Sequence, residues 1–205
     1  MKIAQVVCTI PPYGGSIGVV AHYYAKELTK NGHEMVVFTP QKIRKKAMPS
    51  VPYKIVRLRP LFSVGNAAAL PQLLWRLRKF DVIHLHAPMI GATLFVYVLK
   101  LLKGKKMKLV VSYHMDLVGA GVKKTLFSLY NKLALKGVLH QADKIIAASF
   151  DYIDNSRIRE FFEENKTKFV EIPFGVRSAF RPEEKNPSLV KKYHLSAEDI
   201  VVGFV

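Results

Sequence analysis

Short apolar runs alternate along this chain with segments whose apolar residues recur at helical spacing. After the first run, one helix face recurs from Ile17 to Leu28, and Asn31-Gly32 ends that helix. Strands that alternate with helices of this length predict an α/β fold, a parallel sheet flanked by helices on both faces. The runs that predict strands cover residues 2–7, 34–39, 53–58, 81–86, 109–113, 144–148 and 168–172.

The later helices are predicted from their leucines. Pro71 suits the first turn of a helix with a buried leucine stripe, and residues 89–102 and 188–195 predict two more helices. In such a sheet, ligands bind beyond the carboxyl ends of the strands, so functional residues are expected in the loops there. The stripe after Pro71 comprises Leu70, Leu73, Leu74 and Leu77, and a long helix after the fifth strand is marked by Val122, Leu126, Leu129 and Leu133.

The end of the chain predicts a domain boundary. Residues 181–186 are polar and charged, as in a linker, whereas residues 200–205 are apolar like a core strand. A strand without partners leaves backbone groups unpaired, so a further domain is expected beyond it. We therefore predict one domain over residues 1–176, and in residues 177–205 a linker and the start of a second domain.

The chain has 205 residues, a formal net charge of +17 and one cysteine. This charge predicts an anionic partner (nucleic acid, an acidic bilayer or a phosphorylated substrate) or a surface that is merely basic and soluble. Cys8 is expected to be a small core residue, and the absence of disulfides suits the cytoplasm. The longest apolar stretch, residues 89–99, is too short to span a bilayer.

A glycine-rich turn follows the first strand, at residues 11–18. Gly14 and Gly15 let the backbone approach a ligand closely, and the following helix offers free N–H groups to an anion. The glycine spacing differs from the dinucleotide-binding fingerprint. The alternative is a tight turn from strand to helix with no ligand.

Three histidines lie near strand ends. His84 and His86 are two residues apart, so their side chains share a face of the sheet, but no third metal ligand is evident. We expect a structural role for His84 and either a structural or a site role for His86. His114 follows the fifth strand and can hydrogen-bond a hydroxyl or phosphate there. Asp116 is either an acceptor for sugar hydroxyls or a helix N-cap.

Other catalytic arrangements are absent from the sequence. No serine lies in a nucleophile elbow, and no phosphate-binding P-loop is present. The sequence therefore contains neither a hydrolase triad nor the nucleotide-binding loop of an ATPase.

From residue 1 to about residue 177 the chain resembles glycosyltransferase family 4 of the GT-B enzymes. The family usually has Asn where this chain has Phe174, so no role is carried over to that side chain. The matching motifs occur in family order and are Pro11-Pro12-Tyr13-Gly14-Gly15, Asp81-Val82-Ile83-His84-Leu85-His86, Tyr113-His114, Ala142-Asp143-Lys144-Ile145-Ile146-Ala147-Ala148-Ser149 and Ile172-Pro173-Phe174-Gly175-Val176.

The resemblance implies a Rossmann-like, acceptor-side domain of a retaining glycosyltransferase. Such enzymes use a nucleotide-sugar donor and generally no metal or other cofactor. Gly14 and Gly15 match the glycine loop near the donor phosphate and the acceptor, and His114 matches the histidine that reaches the reacting sugar. Because a second domain holds most of the donor, we expect this chain alone to be inactive.

Basic residues predict contact with an anionic membrane or acceptor. Several family members act at the cytoplasmic membrane face on lipid-linked acceptors. We therefore expect a cytoplasmic protein with peripheral attachment there and an acceptor that is lipid-linked or phosphorylated. The alternatives are a non-catalytic interaction domain and, with less support because no recognition motif is visible, a nucleic-acid-binding module. The membrane candidates are Trp75, Arg76, Arg78, Lys79, Lys123 and Lys124, and a further basic group comprises Lys42, Arg44, Lys45 and Lys46.

Overall fold

The computed structural model describes residues 1–42, 50–175, 184–196 and 198–201. The chain divides into two compact units, Met1–Phe174 and Gly175–Val205. Of the basic group after the second strand, Arg44, Lys45 and Lys46 lie outside the described residues.

The first unit is built on a parallel sheet, as the alternation of strands and helices predicts. Seven strands lie in the order β3-β2-β1-β6-β7-β8-β9, and every neighbouring pair is parallel. The strands are β1 (Lys2–Val6), β2 (Glu34–Pro40), β3 (Lys54–Leu58), β4 (Ser63–Val64), β5 (Ala67–Ala68), β6 (Val82–Ala87), β7 (Lys108–Tyr113), β8 (Lys144–Ala147) and β9 (Phe169–Glu171). The short antiparallel pair β4-β5 forms a separate sheet that was not predicted.

The helices of the first unit connect these strands. They are α1 (Ser16–Lys30), α2 (Leu73–Arg76), α3 (Ala92–Lys103), α4 (Val122–Tyr130), α5 (Lys136–Gln141), α6 (Phe150–Asp154) and α7 (Arg159–Glu164), with a π-helical turn at Asn131–Leu135 between α4 and α5. The predicted helices after β1 and β6 are confirmed to within a few residues. The predicted leucine helix is only α2 and a 3₁₀ turn, although Leu70, Leu73 and Leu77 are buried as expected.

The core lies on both faces of the sheet. The central strands β1, β6 and β7 are almost entirely buried, because helices cover both of their faces. Cys8 is buried, as predicted, and burial raises the pKa of its thiol.

A buried ion pair joins α3 to the sheet. The Lys100 Nζ lies within the core and donates to the carbonyl of Met107 at 2.6 Å and to Asp143 Oδ2 at 2.8 Å. The same carboxylate accepts the backbone N–H of Leu109 at 2.9 Å and pairs with Lys108 at 3.1 Å. Asp143 therefore links α3 to the beginnings of β7 and β8.

The helix after β7 exposes the residues whose spacing predicted it. Its apolar spacing correctly predicts a helix, but Val122, Leu126, Leu129 and Leu133 are all exposed. The buried residues are instead Tyr130 in α4, Ala134 and Leu135 in the π-helical turn, and Val138 and Leu139 in α5.

The second unit contains one helix within its described residues, α8 (Pro187–Tyr193). Asn186 caps its N-terminus by accepting the N–H of Ser188 at 3.0 Å, and Pro187 occupies the first helical position. The predicted strand at residues 200–205 is not formed at Ile200 and Val201, and its remaining residues lie outside the described part. Across the described ranges, no helix is both long and apolar enough to cross a membrane.

Candidate functional site

Three neighbouring strands bring the predicted site residues to one edge of the sheet. β1 pairs with β6 and β6 pairs with β7, all in parallel, so their carboxyl ends meet at the same edge. The glycine turn follows β1, and His114 directly follows β7. Neighbouring strands are about 5 Å apart, so the glycine turn and His114 leave the sheet about 10 Å from each other. The Pro11-Pro12 and Ala87-Pro88 peptide bonds at this edge are both cis.

The glycine turn packs tightly against Thr9. The Thr9 hydroxyl donates to the carbonyl of Gly14 at 3.2 Å. Gly15 has a φ of +125°, and a Cβ on it would lie 2.9 Å from the Thr9 methyl, so this position needs glycine. Gly15 precedes α1, whose N-terminus has no side-chain cap. The turn therefore leaves amide N–H groups of the first helical turn available to a ligand.

His84 occupies a structural position, as expected. It is buried, and its Nε2 lies 2.7 Å from the Ser112 hydroxyl on β7. Its Nδ1 lies 3.4 Å from the amide nitrogen of Gln5 on β1. Both ring nitrogens thus contact neighbouring strands. The His84 ring stacks on His86, with centroids 4.4 Å apart, so the two side chains share a face of the sheet.

His86 lies between the buried His84 and His114 and contacts both rings. Its Nδ1 lies 2.9 Å from His114 Nε2, and the two rings are nearly parallel, at 14°. The backbone N–H of His114 also donates to the carbonyl of Ala87 at 2.9 Å. His114 is therefore held by both the side chain and the backbone of the β6 end.

An orphaned atom assigns the tautomers of this pair. Among the described residues, His86 Nε2 is buried without a hydrogen-bond partner. If that nitrogen carried the proton, a buried donor would be unsatisfied, which is rarer than an underused buried acceptor. His86 therefore donates through Nδ1 to His114 Nε2. His114 then carries its own proton on Nδ1, where it can donate to a ligand.

All three imidazoles are neutral near pH 7. Burial lowers the pKa of His84 to about 3 and that of His114 to about 4. Burial, followed by the neighbouring His84 and His114, lowers the pKa of His86 well below its ordinary value. The site at this edge therefore offers neutral hydrogen-bond donors rather than imidazolium charges.

Phe174, to which the family resemblance assigns no role, adds a fourth ring beside the three imidazoles. It lies almost parallel to His114, with centroids 5.8 Å apart, and 52% of the residue is exposed. Phe174 lies in the segment that follows β9, which is the edge strand of the sheet. The departure from the family pattern at this position was the available signal, but contact with His114 could only be seen in the folded chain.

Asp116 braces the loop after His114. Its carboxylate accepts the Tyr113 hydroxyl and the backbone N–H of Arg157, the latter at 3.1 Å to Oδ2. Its own N–H donates to the Tyr152 hydroxyl at 2.7 Å. The alternative of a helix N-cap is wrong, because α4 begins only at Val122 and is preceded by Gly121.

The membrane candidates lie at two different places in the fold. Trp75, Arg76, Arg78 and Lys79 are exposed, but their segment leads into the amino end of β6, at the edge opposite His114. Lys123 and Lys124 are exposed in the first turn of α4, which follows the His114 loop. Only the second group is close in sequence to the candidate site.

The described residues contain no group of three or more His, Cys, Asp or Glu side chains arranged to hold a metal ion. Of the six imidazole nitrogens of the three histidines near the site, four contact one another, Ser112 or Gln5. What the site offers a ligand is the amide groups of the glycine turn and one imidazole N–H.

The seven-stranded parallel sheet, flanked by helices, is the fold of the N-terminal half of GT-B glycosyltransferases. Residues 13–176 match the family model described as Glycosyltransferase Family 4. This match covers well over half of the sequence, so the chain belongs to glycosyltransferase family 4, and the resemblance seen in its motifs is confirmed.

Solved structures share this fold at low identity. Sucrose-phosphate synthase from Thermosynechococcus elongatus is 16% identical with a TM-score of 0.65, covering 96% of this chain and 53% of that one. The catalytic domain of starch synthase IV from Arabidopsis thaliana, bound to ADP and acarbose, is 12% identical with a TM-score of 0.61, covering 97% of this chain and 60% of that one. This chain thus spans little more than half the length of these structures. No curated protein sequence matches it.

Proposed function

We propose that this chain forms the acceptor side of a retaining glycosyltransferase and that His114 contacts the reacting sugar. One observation carries the proposal: the His114 imidazole, whose Nε2 is held by His86, lies at the same sheet edge as the uncapped glycine turn. Family membership supports sugar transfer as the chemistry.

Each group has a distinct task in this proposal. The backbone amides around Gly14 and Gly15, with the start of α1, attract the negatively charged phosphate of the nucleotide-sugar donor. His114 donates to a hydroxyl of the sugar or of the acceptor. The neutral imidazole keeps one N–H for this hydrogen bond. Because His86 already orients the ring, the donor needs no reorganisation as charge develops on the substrate.

His86 and Asp116 act through their neighbours. His86 orients His114 and has no free group of its own at the surface. Asp116 fixes the loop between His114 and α4 through Tyr113 and Arg157, so we assign it a positioning role and not direct contact with sugar hydroxyls. Gly14 and Gly15 remain the substrate-binding candidates.

Transfer requires a donor-side domain in addition to this one. The departing diphosphate must be held and its charge stabilised, and both substrates must be oriented together. The two GT-B structures are each considerably longer than this chain. We therefore expect the 205 residues alone to bind acceptor without transferring sugar.

The test measures transfer from sugar-labelled UDP-, GDP- and ADP-sugars to soluble sugars and to a total lipid extract, using the polypeptide that contains both this domain and its donor-side domain. His114→Ala is expected to lower kcat roughly 100-fold, and His114→Gln less, because the glutamine amide can still donate. The product should keep the anomeric configuration of the donor.

The matched control is His33→Ala, because His33 precedes β2 at the opposite edge of the sheet and should leave kcat unchanged. Unchanged turnover in His114→Ala would contradict the proposed site, and a product of inverted configuration would contradict the retaining mechanism. Robust transfer by the 205-residue chain alone would contradict the division between acceptor and donor domains.

A further inference from the structure

An exposed ridge of large apolar side chains runs along the helix that follows the site. Val122 is 86% exposed, and the three leucines that continue the ridge are each at least half exposed. Within α4, three of these residues recur at i, i+4 and i+7, which places them on one helix face. The apolar ridge comprises Val122, Leu126, Leu129 and Leu133.

The helix that carries the apolar ridge is anchored on its other side. The Tyr130 hydroxyl lies 3.0 Å from Thr93 Oγ1 on α3, and both residues are buried. Phe127 packs over Gly119, where a Cβ would lie 2.9 Å from its ring. The apolar ridge is therefore the solvent-facing side of a helix whose other side packs against the domain.

Apolar exposure continues from the apolar ridge towards His114. The loop between β7 and α4 contains Met115, 48% exposed, and Val118, 77% exposed. Asp116 ties this same loop to the backbone of Arg157. Exposed apolar side chains thus occur along the chain from the loop that follows His114 to the apolar ridge.

The chain segment that contains the apolar ridge carries charge of one sign. Between residues 117 and 142 the chain has no Asp or Glu. A second copy of this chain seated on the ridge would bring the same cations together, which disfavours self-association. An anionic bilayer instead receives both the apolar face and the cations. The lysines of this segment, all exposed, are Lys123, Lys124, Lys132 and Lys136.

We propose that the apolar ridge docks α4 in the plane of an anionic lipid surface, and that the acceptor is a lipid-linked molecule presented by that surface to His114. The acceptor part of this proposal rests on the proposed function. The docking part does not, because it needs only the ridge and its lysines. It replaces the Trp75 segment as the membrane contact, since that segment leads to the opposite edge of the sheet.

The docking is tested by flotation of the chain with vesicles of phosphatidylcholine containing roughly 30 mol % phosphatidylglycerol. Binding is expected to these vesicles and not to pure phosphatidylcholine. The double variant Leu126→Gln/Leu129→Gln should lower the partition coefficient at least about tenfold, because two apolar side chains no longer enter the interface. Lys132→Gln/Lys136→Gln should lower it about thirtyfold at low salt.

The matched control is Leu101→Gln/Leu102→Gln, because this pair on α3 is also exposed but lies near the amino end of β7. It should bind vesicles like the wild type. The docking would be overturned if this control lost vesicle binding equally, or if only Trp75→Ala lost it. A concentration-dependent dimer that Leu126→Gln/Leu129→Gln abolishes would also overturn it. Unchanged circular dichroism and melting temperature in each variant exclude misfolding as the cause.

Transfer measurements separate this proposal from the proposed function. If His114→Ala abolishes transfer to a soluble acceptor while the wild-type chain ignores anionic vesicles, the docking is wrong and the enzyme assignment stands. If the chain binds vesicles through the ridge but His114→Ala has no effect on transfer, the docking stands and the assigned site is wrong.

Discussion

At the scale of single residues, His86 determines what His114 can do. Because it has no exposed surface and donates through Nδ1, it leaves His114 with its proton on the opposite ring nitrogen. Phe174 then covers part of the His114 ring. A neutral, oriented imidazole results from this packing, whereas an exposed histidine would be partly protonated near neutral pH.

The buried histidines predict a loss of stability in mild acid. In the folded chain the pKa is about 4 for His114 and about 3 for His84, whereas an unfolded histidine titrates near 6.5. Between these values the unfolded chain binds more protons, so the free energy of unfolding falls as pH drops from about 6.5 to about 4 and is unaffected by these groups above that window. The slope approaches about 1.4 kcal/mol per pH unit for each histidine.

Urea unfolding between pH 7.5 and 4.5 measures this slope. In His114→Gln the slope below pH 6.5 should be smaller than in the wild type by about one proton, because one buried imidazole is gone. Carboxylates titrate in both proteins and cancel in the comparison. An identical slope in the two proteins would mean that His114 is protonated in the folded chain.

At the scale of elements, the packing of α1 against the end of β1 shapes the glycine turn. Gly18 in α1 faces the backbone of Thr9, and a Cβ on it would lie 2.7 Å from the Thr9 carbonyl oxygen. In contrast, Gly14 has no atom within 4 Å of its Cβ position. The helix can therefore approach the strand closely only because one position lacks a side chain.

This close approach predicts opposite tolerance at the two glycines. Gly18→Ala should destabilise the chain by about 1–3 kcal/mol, although alanine is normally the better helix residue, because backbone must shift to admit the methyl group. Gly14→Ala should stay within about 0.5 kcal/mol of the wild type. Chemical unfolding of both variants gives the comparison, and equal stabilities would show that α1 is not packed this closely.

The ion pair of Lys100 with Asp143 predicts an asymmetric response to substitution. Asp143→Asn leaves a buried ammonium without its counter-charge and should cost about 3 kcal/mol in unfolding free energy. Lys100→Met should cost less, because Asp143 is partly exposed and keeps Lys108 and the Leu109 N–H. Chemical unfolding measures both, and the reverse order of the two losses would contradict this account of the contact between α3 and the sheet.

At the scale of the whole molecule, net charge is the dominant electrostatic feature. With a formal net charge of +17 on 205 residues, mutual repulsion opposes the compact state at low ionic strength. The same excess favours an anionic partner, and the segment from residue 117 to residue 142 concentrates it beside exposed apolar side chains.

Repulsion of this size predicts that salt stabilises the chain. Raising sodium chloride from about 20 to about 200 mM shortens the Debye length from about 20 Å to below 10 Å, so the melting temperature should rise by a few degrees. Differential scanning calorimetry in a fixed buffer measures the shift. A melting temperature that falls with salt would show that attractive pairs such as Lys100 with Asp143 outweigh the repulsion.

The parallel sheet could be predicted from sequence because its strands are short, largely apolar segments separated by helical patterns, and burial of the central strands on both faces requires such segments. Gly14, Gly15 and His114 could be located for a related reason, since loops after parallel strands meet at one edge. These features depend on local pattern and on a general rule of topology.

Contacts between distant segments were decided by the tertiary structure alone. Phe174 reaches His114 from 60 positions further along the chain, and the His86 hydrogen bond depends on the register of β6 against β7. The periodic leucines of α4 predicted a helix but not which of its faces packs against the domain, because apolar spacing defines one face and does not show whether that face is buried. Sequence thus determined the seven strands of the parallel sheet, several of its helices and the edge that carries the candidate site, whereas packing determined the state of the imidazole and the surface left apolar.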